Sequence, residues 1–278
     1  MIRSGILKDI LKDSDFSVFL LDASGVLYND NGAVPGIGET VKHLQSIGDV
    51  YLATNNSSQS PSSIVSNLGH IGLHIEESHI LSSGLGLSCD PVIYSLIQNC
   101  RCYVVGYTDS FYYVRLAGGN IVDTLEDAEA IILTASIEAS ISHESVELLK
   151  FCHAHPEIPV ICCNPDRFVR GVGHSKVSVI GYYAHLLELE IRNPFYWVGK
   201  PHSNYAHMVG RILTDHGIQW QGNTLFFDDN PDNIITMQNE LNVIGCLVKE
   251  TGISHEFSVA EMTRDYEALK WIIPALVL

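Results

Sequence analysis

Apolar residues fall along this chain in short unbroken runs separated by longer amphipathic stretches. The runs VFLL (18–21), VYLA (50–53), CYVVG (102–106), AIILT (130–134), PVICC (159–163), FYWVG (195–199), TLFFD (224–228) and VIGCLV (243–248) show no alternation of apolar and polar positions. Such runs are expected of strands buried on both faces of a parallel sheet. Between them, 37–47, 61–71, 109–118, 142–155, 175–189, 202–217 and 231–241 read as helices with one apolar face. A short amphipathic helix in residues 1–15 is expected to place Ile6, Leu7, Ile10 and Leu11 on one face. The alternation of the two kinds of segment predicts an α/β fold. From about residue 83 the alternation restarts as a small α/β layer of its own, with no linker on either side. This predicts a core built from 1–82 and 189–278, with 83–188 inserted into it.

Polarity changes abruptly where four of the runs end. FSVFLL stops at Asp22, followed by Ala23, Ser24 and Gly25. VYLA stops at Thr54-Asn55-Asn56, FYWVG at Lys200, and TLFF at Asp228-Asp229. Carboxylates are costly to bury unless they are paired or bound to metal. In open α/β sheets the carboxyl ends of the strands face the ligand crevice. Residues far apart in sequence therefore converge on one edge: a carboxylate, a hydroxyl with two amides, an ammonium and an acidic pair. That inventory suits a phosphate group with Mg²⁺, a hard cation that takes oxygen ligands. A lysine neutralises phosphate charge, and a carboxylate free to attack phosphorus is a recognised covalent catalyst. Singly, each residue also has a plainer explanation. Asp22 fits a cap on the turn after a strand, Thr54 a turn residue, Lys200 a surface lysine, and Asp228-Asp229 an N-cap to the next helix.

Charge narrows the partners. With 16 basic and 32 acidic residues the net charge is -16, which repels nucleic acid and anionic membranes as bulk partners. Seven cysteines, an odd number with no CxxC pair, suit buried free thiols in a reducing compartment better than zinc or disulfides. Adjacent Cys162 and Cys163 are expected on opposite faces of one strand. The N-terminal stretch has no uninterrupted apolar run of the secretory kind, and the tail WIIPALVL is too short to span a bilayer. A cytoplasmic location with no membrane association is the expectation.

DASGVLYN, TNNS, GKP and FFDDNPDNI, in that order, resemble the four motifs of the haloacid dehalogenase (HAD) superfamily. The inserted unit, with NPDR at Asn164–Arg167, resembles the α/β cap of its class IIA branch, which holds NagD-like and p-nitrophenylphosphatase-like phosphatases. The resemblance covers nearly the whole chain. It implies a doubly wound, parallel, Rossmann-like HAD core with an inserted α/β cap, acting on a small phosphorylated metabolite. It implies Asp22 as nucleophile and Mg²⁺ ligand, Thr54 with Asn55 and Asn56 as the phosphoryl-binding loop, and Lys200 as the partner of Asp22 and phosphate. Asp229 matches the acidic metal ligand, with Asp228, Asp232 and Asn233 in support of the metal or its waters. Caps of this branch often mediate dimers, so a homodimer stays open.

One departure matters. Two residues after the nucleophile, family phosphatases carry a second Asp that protonates the leaving group and then activates water. Here that residue is Ser24. A serine hydroxyl does neither job near neutral pH, although the backbone carbonyl at this position still serves as a metal ligand in the family. The expectation is a slow Mg²⁺-dependent phosphohydrolase. The alternative is a HAD-fold protein that binds a phosphorylated ligand or partner with little turnover. A dinucleotide oxidoreductase fits the α/β pattern but lacks a glycine fingerprint after the first strand. His202, two residues after Lys200, is a secondary candidate near the cleft. For Asn164–Arg167 a substrate-facing loop and a tight turn stand equally.

Overall fold

The structure, a computed structural model, describes residues 3–13, 15–135, 141–170 and 175–278. Its larger sheet has seven strands in the order Arg3–Ser4, Trp271–Ile273, Ile244–Val248, Thr224–Asp228, Val18–Leu21, Asp49–Thr54 and Ile80–Ser82. All of its pairings are parallel. The apolar runs explain the layering. Phe19, Leu21, Val50, Leu52, Leu225 and Phe227 point to one face, under the helices Leu7–Asp13, Ile37–Ile47 and Pro61–His70. Val18, Leu20, Tyr51, Ala53 and Phe226 point to the other, under Ser203–Asp215, Pro231–Leu241 and Val259–Asp265. Successive side chains alternate in direction, so an uninterrupted apolar run feeds two cores at once. The core is doubly wound.

The second sheet has five parallel strands, ordered Phe195–Trp197, Val160–Cys162, Ala130–Leu133, Arg101–Val105 and Asn120–Val122. It is layered in the same way. Ile132, Ile161 and Cys163 pack under the helices Pro91–Ile97 and Phe111–Leu116. Ile131, Leu133, Val160 and Cys162 pack under Ile141–Ala154 and Ile180–Glu190. Cys162 and Cys163 thus enter opposite cores, and all seven cysteines are free thiols. No helix among the described residues is long and apolar enough to cross a membrane.

Two expectations need correction. FYWVG is not a core strand: Phe195–Trp197 pairs in parallel with Val160–Cys162, at the edge of the second sheet. Its side chains are only half-buried, as suits an edge, and Phe195 and Trp197 pack on the core beneath Ile180–Glu190. The second sheet therefore extends to Trp197, and the chain re-enters the larger domain only at Val198–Lys200. The helix expected over 175–189 is shorter, Ile180–Glu190. Lys176–Ser178 instead pairs antiparallel with Phe168–Arg170 as a two-stranded ribbon. Alternation in KVSV is of strand period, and the helical pattern begins only after Val179. The tail, expected as a last core element, supplies the strand Trp271–Ile273, which Arg3–Ser4 extends to the sheet edge.

The carboxyl ends of the two sheets face each other. Ser57, after the strand Asp49–Thr54, donates to the Thr134 carbonyl at 2.8 Å. Ser83, after Ile80–Ser82, donates to the Cys163 carbonyl at 2.5 Å. Tyr113, fully buried in the second domain, donates to the Gln59 carbonyl at 2.6 Å. The ribbon completes the closure, with Arg170 Nη1 donating to the Glu250 carbonyl at 3.1 Å and Arg170 Nε 3.6 Å from Asp30 Oδ1.

Candidate active site

Lys200 organises the edge. Its ammonium is buried and spends its three protons on Asp22 Oδ1 at 2.6 Å, Asp228 Oδ2 at 2.7 Å and the Ala53 carbonyl at 2.8 Å. It reaches the core from a loop rather than from a core strand. Asn55 holds that loop: its Oδ1 accepts the Lys200 amide at 2.8 Å and its Nδ2 donates to the Lys200 carbonyl at 2.9 Å. The surface-lysine explanation fails for Lys200.

The acidic pair divides its work. Asp228 is fully buried, and besides Lys200 its Oδ1 accepts the Asn230 amide at 2.8 Å and Asn233 Nδ2 at 3.0 Å. The helix Pro231–Leu241 is capped by Asn230, whose side chain accepts the Asp232 amide, so neither aspartate is the N-cap. Asp229 turns the other way. Its Oδ2 accepts the Ile253 amide at 2.8 Å, and its carbonyl accepts Ser254 Oγ at 2.6 Å. Gly25 and Gly252 close around this carboxylate, and a Cβ on either would collide with it. Gly25 also takes a left-handed φ of 83°, which L side chains rarely adopt. The small residues after Asp22 thus let Asp229 approach it.

Asp22, Asp228 and Asp229 each bring a carboxylate oxygen within 4.8 Å of the others. Asp22, Asp229, Asn233, Ser24, Asp166 and Lys200 line one small cavity, closed over by Phe168 and Val169 of the ribbon. Four carboxylates face one ammonium there. Burial pushes the Asp22 carboxyl up to about 7, with Asp228 and Asp166 adding to the push against Lys200. Burial, then Asp22 and Asp228, hold Asp229 well above the ordinary carboxylate value. Burial alone would lower the Lys200 ammonium, but Asp22 and Asp228 outweigh it and raise it. The site carries more negative charge than its lysine balances.

The donor set fits a hard divalent cation. Asn233 Oδ1 is buried without a hydrogen-bond partner, an oxygen left over at the cavity wall. The hydrogen bonds at Ser24–Tyr28 run through the Gly25 amide and the Ala23 carbonyl, which leaves Ser24's own carbonyl out of that ladder. Oxygen donors in excess of positive charge are what Mg²⁺ takes.

Other expected residues sit elsewhere. Thr54 is buried at its strand end, where its Oγ1 accepts the Asn56 amide at 3.1 Å, a turn-holding bond. The Asn56 side chain bonds Gln59 and Ser58. Thr54 and Asn56 line a neighbouring cavity of about 290 Å³ under Tyr28 and Asn29. Asp232 and His202 belong to a third, larger cavity of about 720 Å³ between the ribbon and the Ile253–Phe257 loop. His202 stacks on Trp197 with ring centroids 5.9 Å apart, and burial lowers its pKa against the pull of Glu188. The Asn164–Arg167 stretch is both a turn and a wall. Asn164 Oδ1 accepts the Asp166 amide at 3.0 Å, and Asp166 lines both the small and the large cavity.

One contributor is missing from the expectations, and Asp166 enters them only as part of the Asn164–Arg167 stretch. The Gly252-Ile253-Ser254 loop comes after VIGCLV, a fifth apolar run that ends in polar residues; extending the strand-end argument to it would have found the loop. The Asp166 side chain had only the NPDR stretch as its signal.

Residues 19–118 match a family model described as haloacid dehalogenase-like hydrolase. A 4-nitrophenylphosphatase of Schizosaccharomyces pombe is 25% identical over 279 residues, spanning 88% of this chain and 87% of that protein. Among solved structures, a possible sugar phosphatase of the HAD superfamily from Cytophaga hutchinsonii superposes with a TM-score of 0.86 at 21% identity, covering 100% of this chain and 99% of that one. A p-nitrophenyl phosphatase from Archaeoglobus fulgidus gives a TM-score of 0.76 at 23% identity over 95% and 97% of the two chains. These two share the fold.

Proposed function

We propose that this chain, whose residues 19–118 match the haloacid dehalogenase-like hydrolase model and which is 25% identical to a 4-nitrophenylphosphatase, is a Mg²⁺-dependent phosphohydrolase of small phosphate monoesters in the NagD-like and p-nitrophenylphosphatase-like branch of that family. The observation that carries the proposal is Asp22. Its carboxylate is buried, held through Oδ1 by Lys200, and shares a cavity with Asp229 and the unpartnered Asn233 Oδ1.

Asp22, Asp229 and the Ser24 carbonyl are the groups that would hold Mg²⁺. The ion, when bound, offsets the negative charge of the carboxylates and of the transferring phosphoryl group. Lys200 keeps one oxygen of Asp22 fixed, which leaves the other for attack on phosphorus. An oxygen–phosphorus bond forms to Asp22 as the bond to the leaving oxygen breaks, giving an aspartyl-phosphate. Water then attacks phosphorus and releases Asp22 and inorganic phosphate. All three protons of Lys200 are already committed, so its contact with a phosphoryl oxygen requires sharing one of them. The Thr54 hydroxyl, which lines the neighbouring cavity and accepts the Asn56 amide, has its own proton left to donate. Asn55 acts as a clasp rather than a phosphate ligand, because both ends of its amide are bonded to Lys200 and Asp166.

The test is hydrolysis of 4-nitrophenyl phosphate with Mg²⁺, with EDTA, and with Asp22→Asn. Turnover should require both the ion and the aspartate. Equal turnover by Asp22→Asn would sink the assignment of the nucleophile. Ser24 favours a second reading, a binder of phosphorylated ligand with little turnover. That reading predicts Mg²⁺-dependent binding of a phosphate ester that persists unhydrolysed.

A further inference from the structure

We propose that Asp166, a residue of the inserted domain, is the catalytic acid and base of this site, in the role that Ser24 cannot fill. This rests on the phosphohydrolase reading above. The first observation is placement. Asp166 lines the same small cavity as Asp22, Ser24 and Lys200, and it also lines the large cavity that opens beside it. A leaving group held in the large cavity would have its bridging oxygen at the passage between the two, where Asp166 stands.

The second observation is how firmly the carboxylate is held. Its Oδ1 accepts Asn55 Nδ2 at 2.9 Å, and the same Nδ2 donates to the Lys200 carbonyl. One core asparagine therefore fixes the lysine loop and the Asp166 side chain together. From behind, Asn164 Oδ1 binds the Asp166 amide. At Gly199, φ is 118°, and an added Cβ would meet both Asn55 Oδ1 and Pro165 Cδ, each at 2.7 Å. Only a glycine lets the two loops close on each other in this way. Asp166 Oδ2 has no hydrogen-bond partner among the described residues. An aspartate so anchored by one oxygen presents the other to a ligand.

Chemistry decides between Asp166 and its rivals. The Ser24 hydroxyl makes no hydrogen bond among the described residues and does not ionise near neutrality. His202 lies in the large cavity only, stacked on Trp197. Asp22 is the nucleophile, Asp228 is saturated by Lys200, Asn230 and Asn233, and Asp229 is turned to Ile253. Asp166 is the carboxyl left over. Burial pushes it up to about 6, with Lys200 pulling the other way, a value suited to a group that both gives and takes a proton near neutrality. Its hydrogen-bond partner is Asn55, not one of the groups assigned to Mg²⁺.

The step balances. The protonated Asp166 gives its proton to the leaving oxygen as the phosphorus–oxygen bond breaks and Asp22 is phosphorylated. The resulting carboxylate then takes a proton from water as that water attacks phosphorus and Asp22 departs. Asp166 ends the cycle protonated, and the products are the free alcohol and inorganic phosphate.

The experiment compares wild type, Asp166→Asn, and Asp166→Asn combined with Ser24→Asp on 2,4-dinitrophenyl, 4-nitrophenyl and phenyl phosphates with Mg²⁺. Asparagine keeps the acceptor for Asn55 but has no proton to give. The expected result is a kcat/KM on phenyl phosphate lowered on the order of 10²-fold and one on dinitrophenyl phosphate hardly changed. Phosphorylated Asp22 should build up in Asp166→Asn after acid quench, and Ser24→Asp should restore part of the loss on phenyl phosphate. A loss of the same size on all three esters would overturn the proposal, because a merely structural residue has no reason to sense leaving-group basicity. Absence of wild-type turnover on dinitrophenyl phosphate, which needs no acid, would overturn the phosphohydrolase reading and this inference with it. Wild-type turnover that Asp166→Asn leaves intact on phenyl phosphate would overturn the inference alone.

Discussion

Two parallel sheets meet here carboxyl end to carboxyl end, and only one is loaded. The strands Val18–Leu21, Asp49–Thr54 and Thr224–Asp228 end in Asp22, Thr54 and the Asp228-Asp229 pair. The strands Arg101–Val105 and Ala130–Leu133, likewise sandwiched between two helix layers, end in Gly106-Tyr107 and Thr134-Ala135. Burial on both faces makes the sheet in each case; the chemistry depends on the residues just past each strand's carboxyl end. The exceptions in the second sheet are instructive. Val160–Cys162 runs into Asn164-Pro165-Asp166 and Phe195–Trp197 into Lys200, and both of these loops cross into the first sheet's site. The loaded edge is thus assembled from both sheets, and Lys200, the ammonium bonded to Asp22 and Asp228, is delivered by the sheet that lacks the carboxylate cluster.

The largest effect should come from breaking the loaded edge at its centre. Asp22→Asn keeps the size of the side chain and removes the nucleophile, so turnover of 4-nitrophenyl phosphate should fall by at least about a thousand-fold. Residual activity within tenfold of wild type would mean that another group attacks phosphorus.

Next in size is the charge imbalance itself. The excess of carboxylates over ammonium should make the protein more stable when Mg²⁺ binds. At about 100 times its Kd the ion adds roughly 2.7 kcal/mol, which for a chain of this size is a rise in Tm on the order of 5 °C. The sign with pH comes from the raised carboxyls. Folded Asp22 titrates at about 7 against an ordinary 3.8, so without metal the folded state binds protons more tightly than the unfolded state. Its stability therefore falls as pH rises from about 4 to 7. Mg²⁺ competes with those protons, so its stabilising shift should be larger at pH 8 than at pH 6. Calorimetric scans at both values, with Mg²⁺ and with EDTA, check this. No shift, or a larger one at pH 6, would count against a cation at this edge.

Much of this was legible in the sequence for one physical reason. Burial on both faces leaves an unbroken apolar run, and a polar residue ending such a run must have a partner. That logic brings Asp22, Asp228 and Asp229 together before any coordinates, whereas Lys200 reaches them from the other sheet. It fails where the signal is not local. FYWVG reads like any buried strand, and nothing in its five residues says which sheet it joins; that is decided by pairing with Val160–Cys162, some 35 positions earlier. The cradle of Asp229 was hidden for another reason, because the Ile253 amide is backbone and carries no residue signature. Asn55 and Asn56 are adjacent and alike in sequence, yet one clasps two loops and the other bonds its own turn.

Ser24→Asp sharpens the comparison from the core side. With Asp166 in place as acid and base, placing a carboxyl two residues after the nucleophile should change aryl phosphatase turnover by less than about tenfold, and its gain should show in the Asp166→Asn background, most for poorer leaving groups. A rise of about tenfold or more in the wild-type background would show that proton transfer is not already supplied from elsewhere.

The smallest effect tests how the two edges are kept facing each other. Ser60 caps the helix Pro61–His70 in the core, and Asp109, from the inserted domain, holds Ser60 in turn. Asp109 Oδ2 accepts the Ser60 amide at 2.8 Å, and its Oδ1 accepts Ser60 Oγ at 2.9 Å. Burial pushes this carboxyl up, but the bonds from the Ser60 amide and from the Ser63 and Ser60 hydroxyls outweigh it and hold it below the usual carboxylate range. Hydrogen bonds to a charged group are worth more than neutral ones. Asp109 is half-exposed, however, and solvent screens part of that gain, so Asp109→Ala should cost about 1 kcal/mol in urea unfolding at neutral pH. The sign with pH is opposite to that of Asp22. A lowered pKa contributes stability above the ordinary value of 3.8 and loses it as pH falls through the lower folded value. Wild type and variant should therefore converge in strong acid. Asp109 lines none of the three cavities, so kcat on 4-nitrophenyl phosphate should stay near wild type. A cost that persists unchanged in strong acid would mean that the alanine disturbs packing instead, and that the charge on Asp109 holds nothing in place.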